Sequence, residues 1–222
     1  LDAIRRHSAR FLRDKHITGS HGLVLDDDDR LRIAILACLP IASLGYEWLR
    51  GWSQVIVYPG QFRVRREWHD EDSGIVTEGD DWLAGESWQH GPLILSLDDI
   101  RADLDAPYDG CNLVVHEIAH KLDMLGGDSD GMPPLPDRAR ALRWRNVFEQ
   151  AYRQFRELVD AGVDTALDPY AAEAPDEFFA VTSETYFSAP DLLKVHHPFI
   201  HAELRGFYGF ELATPESLTA PD

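Results

Sequence analysis

The sequence predicts an α+β fold: a small sheet with its helices over about residues 1–105, packed on a mainly helical half over about 106–222. Three observations carry that reading. Between Gln54 and Leu97 the chain breaks into short extended pieces separated by glycines. After Leu97, apolar residues recur at helical spacing. No internal repeat, low-complexity tract or linker divides the 222 residues, a length that buries one sizeable core, so a single domain is expected.

Taken in order, residues 3–15 have helical spacing, and 17–25 read as extended with a Gly-rich turn at 19–22. The four acids Asp26 to Asp29 precede an apolar-periodic stretch, 31–39, and are expected to cap a helix N-terminus. A calcium loop there would need a ligand spacing and a glycine that are absent. Residues 55–58, 62–65, 74–77 and 93–97 are expected as strands of an antiparallel or mixed sheet, with Trp48, Trp52, Trp68, Trp82 and Trp88 as core or sheet-packing residues. A helix is expected from Cys111 to Leu125, stopped by Gly126-Gly127 and followed by a polar, proline-rich loop, 128–137, in which Asp128, Asp130 and Gly131 are turn residues. Leu142, Val147, Phe148, Ala151, Tyr152, Phe155 and Leu158 mark the next helix. Pro175 opens another to about residue 188, and two shorter helices close the chain.

Composition narrows the function. Twenty-one Lys and Arg against 39 Asp and Glu give −18 with histidines neutral, a surface that repels phosphate backbones and anionic lipid. Direct nucleic-acid binding and membrane association are therefore not expected. The longest apolar run, residues 33–44, is about half the ~20 residues of a membrane span and contains Pro40. No cationic segment followed by an apolar core opens the sequence, which starts at Leu1 rather than Met, so no secretory signal is expected in it. Cys38 and Cys111 form no CxxC pair or disulfide framework and are expected as buried free thiols, which suits a reducing, cytoplasmic address.

The chemistry concentrates in residues 113–123, LVVHEIAHKLD. His116 and His120 are four apart on a helix, so both imidazoles leave one face within reach of a single zinc ion. Glu117, at the edge of that face, can polarise a metal-bound water as general base. The apolar flanks Val114, Val115, Ile118 and Leu122 bury the helix, and buried polar groups require partners that a metal supplies. The extended pattern with a third histidine six residues on is excluded, because that position is Gly126. Asp123 is expected to hold an imidazole N–H of a ligand histidine. The third ligand is expected to be a glutamate on a later helix, with Glu173, Glu177 and Glu184 as candidates. His196, His197 and His201 are interrupted by Pro198 and read as surface or capping residues.

The HEIAHKLD helix, the later DPYAA and DEFFAVTSETYFSAP segments, and the LPIASLGYEWLRG and ESWQHGPLILS stretches together resemble the Mlc titration factor A family of zinc peptidases, from about Phe11 to Ala189. The later segment is also similar to the catalytic domain of anthrax lethal factor, where a tyrosine precedes the ligand glutamate by seven residues, as Tyr170 precedes Glu177 here. The resemblance implies a zincin-like fold and a gluzincin-type site: one zinc on His116, His120 and Glu177, Glu117 as general base, and Tyr170 donating to the oxyanion. Glu177 and Glu184 share a helical face but lie about 10.5 Å apart along it, so only one can bond the same zinc. Glu177 keeps the tyrosine spacing, which leaves Glu184 to support a histidine or pack the helix. In gluzincins a strand in the place of residues 93–97 borders the cleft, and a core strand is an equal reading of the residues. The resemblance further implies a peptide substrate, an aminopeptidase activity on short peptides, and a Mlc-type transcriptional repressor as partner linked to sugar uptake. The alternatives are a non-catalytic, zinc-containing regulator that sequesters a transcription factor and a zinc hydrolase of non-peptide substrates. Glu117 and Tyr170 argue against the regulator, because a structural zinc is closed by a fourth ligand and needs neither.

Overall fold

A computed structural model describes residues 1–69, 76–83, 85–87 and 91–212. Its elements in chain order are α1 (Asp2–Asp14), β1 (His16–Gly19), α2 (Asp27–Cys38), β2 (Gln54–Tyr58), β3 (Phe62–His69), β4 (Val76–Leu83), β5 (Gly85–Ser87), β6 (Leu93–Ser96), α3 (Leu97–Asp105), α4 (Leu113–Asp123), α5 (Arg138–Asp160), α6 (Pro175–Ser188), α7 (Pro190–His196) and α8 (Pro198–Tyr208). This is the expected α+β, zincin-like arrangement. Residues 74–75 and Trp88, read above as strand and sheet-packing aromatic, lie outside the described residues.

The acidic run before α2 acts as a cap: Asp26 accepts the N–H of Asp29 at 2.7 Å. Asp29 itself is buried and pairs with Arg101 at 3.1 Å. The main sheet has the order β1-β2-β6-β5 and is mixed, with β1, β2 and β6 parallel and β5 antiparallel to β6. Its central strands are aliphatic because they are covered: Val55, Val57, Leu93 and Leu95 are wholly buried. Residues 93–96 therefore form a core strand paired on both sides, and the edge falls to β5. Strands β3 and β4 pair with each other as a separate antiparallel ribbon, Phe62 opposite Leu83.

The helical half is welded by aromatic rings. Trp144 of α5 stacks on Phe148 at 4.2 Å and meets Phe179 of α6 and Phe207 of α8 edge-on at 5.7 and 5.5 Å. Pro175 sits at the first position of α6, where its missing N–H costs nothing, and every residue from Phe178 to Ser188 is buried. One apolar cluster runs from Phe11 to Tyr208. Among the described residues no helix is long and apolar enough to cross a membrane.

Three expectations need correction. The helix starts at Leu113, not Cys111, because Asn112 caps it, so Cys38 is buried but Cys111 is exposed. The first extended segment forms a strand only over His16–Gly19, because the chain turns over residues 20–23, where the Leu23 N–H donates to Ser20 O. His196 is exposed, and His197 occupies the position before α8, but His201 is 7% exposed beneath Tyr186, its Nε2 3.3 Å from Glu211 Oε2.

Candidate metal centre

Helix α4 begins at a set of acceptors that take its free N–H groups. Asn112 Oδ1 accepts from Val115 at 3.1 Å, Asp103 Oδ2 from Leu113 at 2.7 Å, and Glu184 Oε2 from Asn112 at 2.9 Å. Asp103 has its carboxyl pushed up to about 6 by burial and by Glu184, Asp109 and Asp99 nearby, against the Leu113 hydrogen bond. Capping by α3 and α6 fixes where α4 starts, and so which of its faces meets α6.

On that face His116 and His120 bring their Nε2 atoms to 3.2 Å of each other. Glu177, in the first turn of α6, places Oε2 3.2 Å from His116 Nε2 and 3.3 Å from His120 Nε2. Its other oxygen accepts the Tyr170 hydroxyl at 3.1 Å. Tyr170 stands on a short 3-10 turn, Pro169–Ala172, capped by Asp168. Glu184, two turns further along α6, lies with Oε1 3.5 Å from His116 Nδ1, so two glutamates bracket one imidazole. Glu173 is exposed and outside this constellation. Among the described residues His116, His120 and Glu177 form the one group of His, Cys and acidic side chains compact enough to hold a metal ion.

The three nearest atoms form a triangle with edges of 3.2, 3.2 and 3.3 Å. Tetrahedral zinc with ligands at ~2.0–2.1 Å requires ligand–ligand edges of about 3.3–3.4 Å, so the donor set fits a tetrahedral cation with one position left open. The electrostatics agree. Burial opposes charge on His116, yet Glu177 and Glu184 raise its pKa well above the usual imidazole value. Burial likewise opposes charge on Glu177, and the two imidazoles hold it far below the ordinary carboxylate range.

Glu117 is 4% exposed and packs beneath the edge strand: a Cβ on Gly85 would stand 2.3 Å from Glu117 Oε1 and 2.7 Å from its Cγ and Cδ. One turn on, Lys121 is buried and donates to Gly91 O at 3.0 Å, so α4 touches the chain at the start of β5 and again just before β6. Burial brings Lys121 down to about 8, against the pull of Glu117. Asp123 departs from expectation. Its Oδ2 takes the N–H of Gly131 at 2.8 Å instead of an imidazole, tying α4 to the loop beyond it. Nothing in the sequence points to Gly85, Asp103 or Lys121 as neighbours of the site, whereas Asn112 carries a local signal as a helix cap. A cleft of about 460 Å3 opens over the site, with Gly85, His116, Glu117 and Tyr170 in its wall beside Asp99, Asp103, Asp168 and Glu184.

A helix-borne His-His-Glu triangle, a buried glutamate beside it and an edge strand above define a metallopeptidase-type centre. The family described as glucose-regulated metallo-peptidase M90 matches residues 1–209, and the chain belongs to that family. It is similar to proteins named Mlc titration factor A from Escherichia fergusonii, 43% identical over 90% of this chain and 75% of the relative. Similar proteins of that name come from Cronobacter sakazakii, at 41% over 92% and 77%, and Yersinia enterocolitica, at 40% over 90% and 75%.

Proposed function

We propose that the chain is a zinc-dependent peptidase acting as an aminopeptidase on short peptides in the cytoplasm. The observation that carries the reading is the ligand triangle of His116, His120 and Glu177, whose edges are close to those that three ligands of a tetrahedral zinc require. Zinc, when bound, supplies Lewis acidity and a water that ionises near neutral pH. Glu117 takes the proton of the attacking water and passes it to the leaving amine. The Tyr170 hydroxyl turns from Glu177 Oε1, where it rests at 3.1 Å, to donate to the oxyanion. Glu184 orients His116 through Nδ1. An extended peptide adds to the outer edge of β5, which pairs on its other side with β6. The name of the relatives makes a Mlc-type repressor the proposed protein partner, a role that needs no turnover.

The test is hydrolysis of a panel of aminoacyl and amino-blocked peptides by the zinc-loaded chain, with and without chelator. Free amino termini should be required, and chelator should abolish cleavage. Glu117→Gln should keep about one zinc and lose about 10²–10⁴-fold in rate. Equal cleavage of blocked peptides refutes the aminopeptidase assignment, and zinc-loaded protein inert on the whole panel refutes the enzyme.

A further inference from the structure

One residue of the loop after α4 touches α4, α5 and α6. The N–H of Gly131 donates to Asp123 Oδ2, on the last turn of α4, at 2.8 Å. Its carbonyl accepts Trp144 Nε1 of α5 at 2.9 Å. Its Cα lies so close to the start of α6 that a Cβ would stand 2.5 Å from Pro175 O and 3.0 Å from the carbonyl carbon. The backbone there has φ +75°, a region that favours glycine. Ser129 adds a second tie, donating to Asp176 Oδ2 at 3.0 Å and to Asp123 Oδ2 at 3.4 Å. Asp123 is wholly buried, so its end of this linkage is fixed.

We propose that Gly131 is a positioning residue for the metal: it clamps the end of α4 to the first turn of α6 and so sets the fit of Glu177 to the His116–His120 pair. The proposal rests on the zinc reading above. Metal–ligand distances in well-formed sites lie within about 0.2 Å of their ideal values. A side chain at 131 needs at least 3.0 Å from Pro175 O and would have 2.5 Å, so one backbone must yield by about 0.5 Å. The clashing atom is a main-chain carbonyl, which cannot rotate aside alone. Burial from Phe178 to Ser188 holds the body of α6, so the shift falls on its first turn, where Glu177 stands two residues beyond Pro175. If the loop yields instead, it pulls on Asp123 and the end of α4, and the triangle opens from the other side.

The experiment measures zinc affinity of the full chain by competition with a chromophoric chelator, for wild type, Gly131→Ala and Gly162→Ala. Gly162 has φ +67° with nothing within 4 Å of where a methyl would stand, so alanine there brings the same backbone strain without the clash. Gly131→Ala should bind zinc at least about tenfold more weakly, and Gly162→Ala within about twofold of wild type. Wild-type affinity in Gly131→Ala, or an equal loss in Gly162→Ala, overturns the clamp. Should Gly131→Ala not fold, Ser129→Ala decides: Ser129 is exposed, and loss of its bridge should weaken zinc by at least about threefold, whereas unchanged affinity overturns the proposal. A wild-type chain that binds no zinc overturns the metal reading and the clamp together. Wild-type binding with unaffected variants overturns the clamp alone.

Discussion

Alanine at Gly85 moves the Glu117 carboxylate without touching a metal ligand. The new methyl would lie 2.3 Å from Glu117 Oε1 and 2.7 Å from Cγ and Cδ, where real contacts stay beyond 3.0 Å. The carboxylate must retreat by about 0.7 Å, and it can, because a glutamate side chain turns about its own torsions while β5 and α4 stay in place. Gly85 needs no left-handed backbone, so folding stability should change little. A misplacement near 1 Å costs a reacting group about 10²-fold in rate. We therefore expect kcat/KM of Gly85→Ala to fall about 30–100-fold, or about 2–2.7 kcal/mol of transition-state stabilisation. The assay is hydrolysis of an aminoacyl anilide, with zinc content and melting temperature measured on the same preparation. Full activity, or a loss of zinc in parallel with activity, would refute the reasoning.

Tyr170→Phe should keep its zinc and lose kcat more than substrate affinity, as expected for a contact made in the transition state; steady-state kinetics beside metal analysis check this, and an unchanged kcat removes the tyrosine from the mechanism. Asp103→Asn probes the crowded carboxylates at the start of α4. The Asp103 carboxyl rises from 3.8 to about 6 in the folded chain, so its contribution to stability is fully present below pH 3.8 and is lost as pH rises through 6. Asparagine still accepts the Leu113 N–H but does not titrate. The melting temperature of Asp103→Asn relative to wild type, both stripped of metal, should therefore increase between about pH 4 and pH 6 and then level off; a difference that stays constant or shrinks contradicts the assignment.

The sequence was most informative where local chemistry decides structure. Pro175 cannot continue a preceding helix but suits a first turn, and α6 runs over the expected residues, 175–188. The four-residue spacing of His116 and His120 requires them to share a face, and they do. The choice among Glu173, Glu177 and Glu184 was not legible from periodicity, because it depends on how α6 crosses α4. The strand order was hidden for the same reason: nothing in residues 85–87 announces an edge, and nothing in Leu93–Ser96 announces two neighbours. His201 shows the limit most plainly. An interrupted histidine run looks like surface, but the ring is covered by Tyr186, fifteen positions away in sequence. Cys111 differs for a local reason that the residues do contain, since Asn112 is a better helix cap than any neighbour.

The burial of α6 along Phe178–Ser188 bears on how such a centre is loaded. Helix α4, buried from Val114 to Asp123 apart from His116, and α6 beyond its first turn are expected to open last, so their amides there should exchange with solvent only through global unfolding. A folded receptor is therefore expected without the metal, unlike small zinc domains that collapse when the ion departs. Uptake should then be a simple ligand-substitution equilibrium on a preformed cup. On the proposed zinc reading, the occupied fraction should follow the free-ion level reversibly, with no refolding step to delay it.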